Sequence, residues 1–379
     1  MITLNKQQEE GLLIAVDRFK HNMPWTCIAG FAGTGKSTLV SYIISALNID
    51  PTEVTYIAYT GKAALVLQQK GCLTATTAHK FLYNFRKVGP NRFIQIPKTT
   101  DEIFETEGYK QLIVVDEVSM LPGDMWHLLL AHGIPVIALG DPGQLPPIYE
   151  TNGVLDKPHI FLNEIMRQEK DNEIIDISMR IREGKHLQLF NGNNVKIIDK
   201  KDLVPGMLLW ADQIICAKNE TRKYINNVCR RLLYGFTPDT PLQKEDKIIC
   251  LRNNWEVCSN MGYSLINGTI GYVKEVIPAY SHPIEGTVFC NLEGEVGDYF
   301  SALLANTNYD EETMVVPRKT AIPNPIDYGY AITCWKAQGS QWNKVLLFEE
   351  DFPFDKEEHK KYLYTGITRA IDKVVIVRK

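Results

Sequence analysis

The sequence lacks several features that would define a secreted, membrane or zinc-ribbon protein. Its eight cysteines form no Cys-x-x-Cys pair, and their scatter favours free thiols in a reducing compartment over a disulfide scaffold. No apolar run approaches the ~20 residues that cross a bilayer, and the N-terminus has no apolar signal core. We therefore expect a soluble, cytoplasmic protein with no membrane partner.

An excess of positive charge is also missing. The 379 residues contain 41 Lys plus Arg and 45 Asp plus Glu, for a formal net charge of −4. Bulk charge therefore cannot attract nucleic acid, and such a partner would need a local basic patch. The hydrophobic fraction of 45% and the charged fraction of 23% are typical of globular proteins and exclude a disordered chain, a collagen or a coiled coil. The length favours two or three domains.

Strand and helix patterns alternate along most of the chain. Strands are predicted at 25–29, 54–58, 112–115 and 135–139, with helices at 36–47 and 62–69 between them. Such alternation predicts an α/β fold, with a parallel sheet covered on both faces. A second pattern of this kind includes strands at 213–217 and 374–377 and a helix at 220–234.

Each α/β pattern is interrupted once. The first lapses at 81–107, where Gly89-Pro90-Asn91 signals a turn and a small inserted hairpin is expected. The second lapses at 245–324, where a Gly-, Val- and Thr-rich sequence predicts a small barrel-like β-domain. The predicted first domain is therefore 1–80 with 108–158, and the predicted second domain is 159–244 with 325–379.

Residues 30–37 read GFAGTGKS and match the G-x-x-x-x-G-K-[ST] phosphate loop. The segment lies between a predicted strand and a predicted helix, which disfavours the alternative of a chance glycine turn. Glycines allow successive backbone N–H groups to cradle phosphate oxygens, and the helix N-terminus adds positive potential. Lys36 is expected to reach the β- and γ-phosphates, and the Ser37 hydroxyl is expected to ligate Mg²⁺.

Two later strands end in polar residues. The strand at 112–115 is followed by Asp116 and Glu117, and buried carboxylates are costly unless they meet a cation. Asp116 is the expected metal partner and Glu117 the expected base for a water that attacks the γ-phosphate, the alternative being a solvated loop start. Gln144, in the segment GDPGQLPP, can sense the γ-phosphate or orient that water, although alone this segment is an ordinary Pro-Gly turn.

The positive charge is concentrated in one block. Residues 54–100 contain seven basic residues and no acid, so this block alone has a net charge of +7. Aromatic residues are interleaved with them. Basic groups that follow phosphates and flat rings that stack on bases suit a groove for single-stranded nucleic acid, whereas a solvated face is the alternative.

The ordered motifs resemble those of superfamily 1 helicases of the RecD-like group. The segments that carry the resemblance are Leu4-Asn5 with Gln8, 30–37, 58–64, 76–79, 114–120, 139–147, 162–167, 331–340 and 364–370. The resemblance implies two RecA-like domains that bind ATP in the cleft between them. It also implies that Arg167 and Arg369 reach the γ-phosphate as arginine fingers. Alternatively, Arg369 complements a helix dipole, and Arg167 lies in a less specific motif.

The resemblance assigns further site residues. The implied nucleotide contacts are Gln8, Gly33, Thr34, Gly35, Lys36, Ser37, Thr38 and Gly339, and the implied metal ligands are Ser37 and Asp116. The expected DNA contacts are Thr60, Lys62, His79, Lys80, Arg86, Phe93, Thr333, Trp335 and Lys336. Phe93 is the candidate wedge at the hairpin. Trp335 stands where the family usually has His, and either stacking on the strand or packing in the core would explain it.

These features predict an ATP- and Mg²⁺-dependent helicase that translocates on single-stranded DNA and unwinds duplex DNA. The resemblance implies 5′→3′ polarity and allows a monomer, with other replication or repair proteins as partners. Three alternatives stay open: a helicase for RNA or RNA–DNA hybrids, a motor subunit of a nuclease or repair complex, and a nucleotide-gated binding protein without turnover.

Overall fold

A computed structural model describes residues 4–87, 93–146, 152–166, 172–238, 240–260, 264–278, 288–294, 299–306, 323–351 and 355–379. In the first part of the chain the helices are α1 (Lys6–Lys20), α2 (Lys36–Leu47), α3 (Gly61–Gln69), α4 (Ala78–Leu82), α5 (Thr100–Glu107) and α6 (Gly123–Ala131). The strands are β1 (Trp25–Gly30), β2 (Val54–Ala58), β3 (Thr76–Thr77), β4 (Tyr83–Lys87), β5 (Phe93–Pro97), β6 (Leu112–Val115), β7 (Val136–Gly140) and β8 (Ile160–Leu162).

Six of these strands form the first sheet, in the order β3-β2-β6-β7-β1-β8, and all neighbours are parallel. Alternate residues of β6 serve opposite faces, as the two-residue period of a strand requires. Ile113 and Val115 pack with α4, α5 and α6, whereas Leu112 and Val114 pack with α1 and α2. Helices therefore cover both faces, which confirms the predicted class of sheet.

The carboxyl ends of three neighbouring strands meet at one edge of this sheet. β1 leads into the phosphate loop, β6 into Asp116 and β7 into Asp141. Because the strands are parallel, these loops share an edge, where open α/β sheets usually bind ligands. The strand β8 also belongs to this sheet through its pairing with β1. It therefore extends the first sheet beyond residue 158, where the sequence predicted the first domain to end.

The first insertion contains an antiparallel hairpin of β4 and β5, which pair from Tyr83 with Pro97 to Lys87 with Phe93. The expected turn at residues 89–91 lies outside the described residues. Lys98, from the basic block, is buried, and its Nζ donates to the Lys80 carbonyl at 3.0 Å. Part of the block's charge is therefore used to fix the base of the hairpin.

The remaining helices are α7 (Glu173–Arg182), α8 (Pro205–Trp210), α9 (Asn219–Tyr234), α10 (Cys334–Ala337) and α11 (Lys356–Ile367). The remaining strands are β9 (Phe190–Asn191), β10 (Val195–Asp199), β11 (Gln213–Cys216), β12 (Lys247–Cys250), β13 (Asn254–Cys258), β14 (Ser264–Leu265), β15 (Ile270–Pro278), β16 (Val288–Gly294), β17 (Tyr299–Asn306), β18 (Asn324–Tyr328), β19 (Ala331–Thr333), β20 (Trp342–Phe348) and β21 (Ala370–Arg378).

The second sheet has the order β19-β11-β20-β21-β10-β9 and is parallel except at β9. The second insertion is a closed barrel of β12-β15-β16-β17-β18. Its last strand, β18, ends at Tyr328, beyond the predicted boundary at residue 324. Two α/β domains with a hairpin and a barrel as insertions confirm the predicted fold class.

The barrel is fixed to the second domain by a buried ion pair. Arg230 of α9 is 1% exposed and donates through Nε to Asp246 Oδ1 at 2.8 Å and through Nη2 to Asp246 Oδ2 at 2.9 Å. The barrel and the second sheet also share one hydrophobic cluster. Arg230 therefore has a structural role, although it belongs to a basic run in the sequence. Across the part of the chain that the structure describes, we find no helix both long and apolar enough to span a bilayer.

Candidate functional site

The phosphate loop has the backbone that its glycines allow. Gly33 and Gly35 have φ of 75° and 76°, in the left-handed region that favours glycine. A Cβ at Gly35 would lie 2.5 Å from Gln8 Nε2, so a side chain has no room there. The Lys36 ammonium folds across the loop and donates to the carbonyls of Gly30 at 2.7 Å and Phe31 at 3.1 Å. The ammonium therefore lies against the backbone of the loop, and its contact with the phosphates stays a prediction.

Gln8 is fully buried and joins the first helix to this loop. Its Nε2 donates to the Thr34 carbonyl at 3.3 Å, and its Oε1 accepts from the Asn5 N–H at 3.0 Å as half of a capping box. The amide nitrogen thus braces the loop, while the amide oxygen caps α1. Ser37 and Thr38 lie in the first turn of α2, directly after Lys36. The roles of these residues in nucleotide binding stay predictions.

Asp116 and Glu117 lie beside the loop at the end of β6. Burial, reinforced by the neighbouring Glu117 carboxylate, raises the pKa of Asp116 to about 6, while Lys36 acts in the opposite direction. Glu117 itself has φ of 51° and ψ of 48°, a left-handed conformation that costs a non-glycine residue ~1–3 kcal/mol. Strain of this kind often marks a functional position, because surrounding contacts must hold it in place.

Three predicted catalytic residues from two domains converge here. Arg369, between α11 and β21, is 4% exposed, and its Nη1 lies 3.8 Å from Glu117 Oε1. With its nitrogen turned toward Glu117, the Gln144 amide donates to Glu117 Oε2 at 3.0 Å and accepts from Arg369 Nη2 at 3.3 Å. Gln144 thus bridges a strand end of the first domain and an arginine of the second. Arg167, the other predicted finger, lies outside the described residues.

The loop that carries Gln144, residues 141–146, is bound along its length by the second domain. We call it the 141–146 loop. The Leu145 N–H donates to Thr365 Oγ1 at 2.8 Å, and the Leu145 carbonyl accepts from Gln338 Nε2 at 2.9 Å. Sequence reasoning did not assign Thr365 or Gln338 a role. Both lie inside motifs, but only the tertiary fold brings them to this loop.

A cleft of about 500 Å³ lies beyond this loop, between the two domains and the barrel. Six of the nine predicted DNA contacts line it, and these are Thr60, Lys62, His79, Thr333, Trp335 and Lys336. The barrel contributes Asn253, Ile266 and Asn267. Lys80 and Arg86 are exposed and lie outside this lining, and the side chain of Phe93 is not among those described. The structure therefore gathers six of the predicted contacts in one cleft and leaves Lys80 and Arg86 outside its lining.

Threonines on the first-domain wall cap two helices. Thr60 Oγ1 accepts from the Ala63 N–H at the start of α3, and Thr77 Oγ1 accepts from the Lys80 N–H at the start of α4, both at 3.2 Å. A hydroxyl that accepts in this way keeps its own proton to donate to a phosphate oxygen. Gly339 also lies here, since a Cβ on it would be 3.3 Å from Thr60 Oγ1. The contact of Gly339 with the nucleotide stays a prediction, because its described neighbours are Thr60 in this cleft and Ala63 of α3.

Aromatic and basic groups line the rest of the cleft. The His79 ring lies 5.7 Å from the Tyr59 ring and 6.3 Å from the Tyr83 ring. Burial lowers the pKa of His79, against the opposing effect of Asp124, so the imidazole is neutral at pH 7. Lys336 Nζ donates to Asn267 Oδ1 of the barrel at 2.6 Å. The cleft thus combines flat rings with a cation, the groups that suit a single strand.

Trp335 lies between the cleft and the 141–146 loop. Its indole Nε1 donates to the Pro146 carbonyl at 3.2 Å, and its ring is partly buried against the core of the second domain. The ring also lines the cleft. Packing therefore accounts for the indole N–H, while stacking on a base stays a prediction.

The fold and these sites define a phosphate-loop protein with two RecA-like domains. Residues 3–204 match the family model described as an AAA domain, and residues 328–377 match the one described as a UvrD-like helicase C-terminal domain. Because the first match covers more than half of the 379 residues, the chain belongs to the AAA-domain family. Together with the relatives below, this confirms the resemblance to superfamily 1 helicases of the RecD-like group.

Two curated relatives and one solved structure that are similar to this chain are helicases by name. The chain is 26% identical over 378 residues to the ATP-dependent RecD2 DNA helicase of Deinococcus radiodurans, covering 91% of this chain and 46% of that protein. It is 27% identical over 266 residues to the ATP-dependent DNA helicase dda of phage T4, covering 62% and 58%. The chain thus spans about half the length of these curated relatives. The Bacteroides Pif1 helicase, solved with ADP-AlF3 and single-stranded DNA, has a similar fold, with a TM-score of 0.57, 18% identity and coverage of 99% and 92%.

Proposed function

We propose that this protein is an ATP-dependent helicase that translocates on single-stranded DNA and unwinds duplex DNA. One observation carries the proposal. The 141–146 loop carries Gln144, which contacts Glu117 and Arg369 at the nucleotide site. The same loop carries Pro146, whose carbonyl accepts a hydrogen bond from Trp335 in the cleft. A nucleotide site and a strand-sized cleft that share one loop suit a motor better than they suit a simple nucleotide-binding protein.

The nucleotide chemistry follows from the residues beside the phosphate loop. Backbone N–H groups of the loop and the Lys36 ammonium would hold the β- and γ-phosphates. Ser37 and Asp116 would hold Mg²⁺, which supplies positive charge to the phosphate oxygens when it is bound. The raised pKa of Asp116 fits this role, because a buried carboxylate is stabilised when a cation joins it.

Hydrolysis would require both domains. Glu117 is the proposed base that accepts a proton from the attacking water, and Gln144 would orient that water. Arg369 would stabilise the charge that develops on the γ-phosphate, a contribution of ~10³–10⁵ in rate for an arginine finger. Since Arg369 and Glu117 belong to different domains, hydrolysis would occur only while the two domains are closed around the nucleotide.

The same closure would change the grip on DNA. The cleft is lined by the first domain, the second domain and the barrel, so relative movement of the domains would alter its width. Alternating tight and loose grip through one ATP cycle would move the strand stepwise. The two curated relatives described above are both named DNA helicases, which supports DNA over RNA. The resemblance to the RecD-like group supports 5′→3′ movement.

ATP turnover with and without oligonucleotides tests this proposal. Single-stranded DNA is expected to stimulate turnover by wild-type protein, and an RNA of matched sequence is expected to do so less. Equal or greater stimulation by RNA would favour an RNA helicase instead. A lack of turnover under every condition would favour a nucleotide-gated binding protein and would reject the proposal.

A further inference from the structure

Tyr364 of α11 makes a contact across the domain boundary that the proposed mechanism does not use. Its side chain belongs to the second domain and is 1% exposed, but its hydroxyl reaches two groups of the first domain. The hydroxyl accepts from the Ala32 N–H of the phosphate loop at 2.8 Å and donates to Asp141 Oδ2 at 2.7 Å. One oxygen atom therefore joins the phosphate loop, the 141–146 loop and α11.

The acceptor, Asp141, shapes the loop in front of Gln144. Its other oxygen, Oδ1, accepts from the Gly143 N–H at 2.9 Å and fixes the turn. The Tyr364 ring packs on the same turn, since a Cβ at Gly143 would lie 3.0 Å from Tyr364 Cε1. Burial raises the pKa of Asp141, and the hydrogen bonds from Tyr364 and Gly143 oppose that rise because they stabilise the charged carboxylate.

Neighbouring residues of α11 act on the other side of Gln144. Thr365 accepts from the Leu145 N–H at 2.8 Å, and its carbonyl accepts from Arg369 Nε at 3.1 Å. One helix segment thus holds the loop before Gln144, the loop after Gln144 and the side chain of Arg369. The two contacts with the loop depend on α11 lying against the first domain, whereas the contact with Arg369 lies within the second domain.

We propose that Tyr364 is a positioning residue for the hydrolysis described above, and that it acts through Gln144. Its hydroxyl sets the distance between the phosphate loop and the 141–146 loop, so that Gln144 meets Glu117 and Arg369 together. This inference rests on the proposed ATP hydrolysis. Nothing in it requires the hydroxyl to touch the nucleotide.

Tyr364→Phe tests the hydroxyl alone, because the ring and its packing are kept. A displacement of about 1 Å at a catalytic group costs about 10²-fold, so kcat is expected to fall by roughly 10- to 100-fold. ADP lacks the γ-phosphate, so the affinity of the variant for ADP is expected to stay within about twofold of the wild-type value. A wild-type kcat, or loss of ADP binding, would overturn the proposal.

Tyr362→Phe is the matched control. Tyr362 is equally buried in the same helix, but its hydroxyl donates to the Phe348 carbonyl at 2.5 Å inside the second domain. This variant loses a buried hydrogen bond without affecting the contact with the first domain. We expect it to match Tyr364→Phe in thermal stability while keeping a wild-type kcat. An equal loss of kcat in both variants would mean that the hydroxyl of Tyr364 has only a structural role.

A double-mutant cycle separates positioning from general destabilisation. If Tyr364 acts through Gln144, the double variant Tyr364→Phe/Gln144→Ala will have the same kcat as Gln144→Ala alone. Independent, multiplying losses would overturn the proposal. Asp141→Asn keeps the Tyr364 ring and removes the carboxylate that accepts from its hydroxyl. Combined with Gln144→Ala in the same way, this variant tests the proposal if Tyr364→Phe does not fold.

The same assay distinguishes failure of this inference from failure of the proposed function. Wild-type protein and Lys36→Ala are measured beside the other variants. If wild-type protein does not hydrolyse ATP, or Lys36→Ala hydrolyses it normally, the proposed function fails. If those two behave as expected and Tyr364→Phe hydrolyses like wild type, only the role of Tyr364 is rejected.

Discussion

The phosphate site and the nucleic-acid cleft are built in different ways, although both lie between the same two domains. Eight consecutive residues form the phosphate loop, and their backbone conformation follows from their own glycines. The cleft takes its lining from seven separate segments of both domains and the barrel. A contiguous site depends on local sequence, whereas a dispersed site depends on how the domains are packed. Variants of the first should therefore affect turnover, and variants of the second should affect strand binding.

The largest expected effect is at the phosphate loop. Lys36→Ala removes the ammonium that bridges the loop, and we expect it to abolish ATP hydrolysis, as measured by phosphate release. Lys20→Ala, an exposed lysine at the end of α1, is the matched control and should hydrolyse normally. Wild-type turnover by Lys36→Ala would contradict the assignment of this site.

The second largest effect is expected at Glu117. Glu117→Gln keeps the shape of the side chain but removes the proposed base, so turnover should fall by ~10²–10⁴-fold while ATP still binds. Equilibrium binding of ATP and single-turnover hydrolysis measure the two properties separately. Loss of nucleotide binding would show that Asp116 and Glu117 do not divide their roles as proposed.

A smaller effect, on a different property, is expected in the cleft. Lys336→Gln should weaken binding of single-stranded DNA and lower the slope of log affinity against log salt by ~0.7, the value for one phosphate contact. Lys373→Gln, an exposed lysine on the second sheet, is its control. Lys80 and Arg86 lie outside the cleft lining, so reversing the charges of both side chains should change this slope less than Lys336→Gln does. If the charge-reversed variant has the larger effect, the strand is held at the hairpin instead.

The smallest expected effect is a pH dependence at His79. Because burial lowers the pKa of His79, the ring is neutral at pH 7 and gains its charge only as pH falls below the usual 6.5. Protonation adds a positive charge next to the strand, so affinity should rise at low pH by ~1.5–5-fold, the size of a screened ion pair. His79→Asn should remove this rise. A rise that persists in the variant would have to come from another group.

The same contrast explains what could be predicted from the sequence. The phosphate loop and the acids after β6 could be found because each is a short, contiguous sequence pattern that does not depend on distant residues. The two insertions were also predicted, since composition and turn signals changed there. The pairing of β8 with β1 was not predicted, because a strand of three residues is too short to show a hydrophobic pattern that would indicate its sheet.

Contacts between domains account for the rest. Tyr364 and Asp141 each lie in a recognised motif, but their hydrogen bond joins residues 223 positions apart and depends on domain docking. Lys98, from the basic block at 54–100, and Arg230 are both cationic residues that the structure buries in structural roles. Residue type and local charge do not reveal burial, which is a tertiary property.

Strand displacement on tailed duplexes tests the central claim most directly. Wild-type protein with ATP is predicted to separate a duplex that carries a 5′ single-stranded DNA tail, and to leave a blunt or 3′-tailed duplex intact. Lys36→Ala, or omission of ATP, should leave all three intact. Separation that does not need ATP, or the absence of separation on any tailed duplex despite DNA-stimulated ATP turnover, would contradict an ATP-driven helicase.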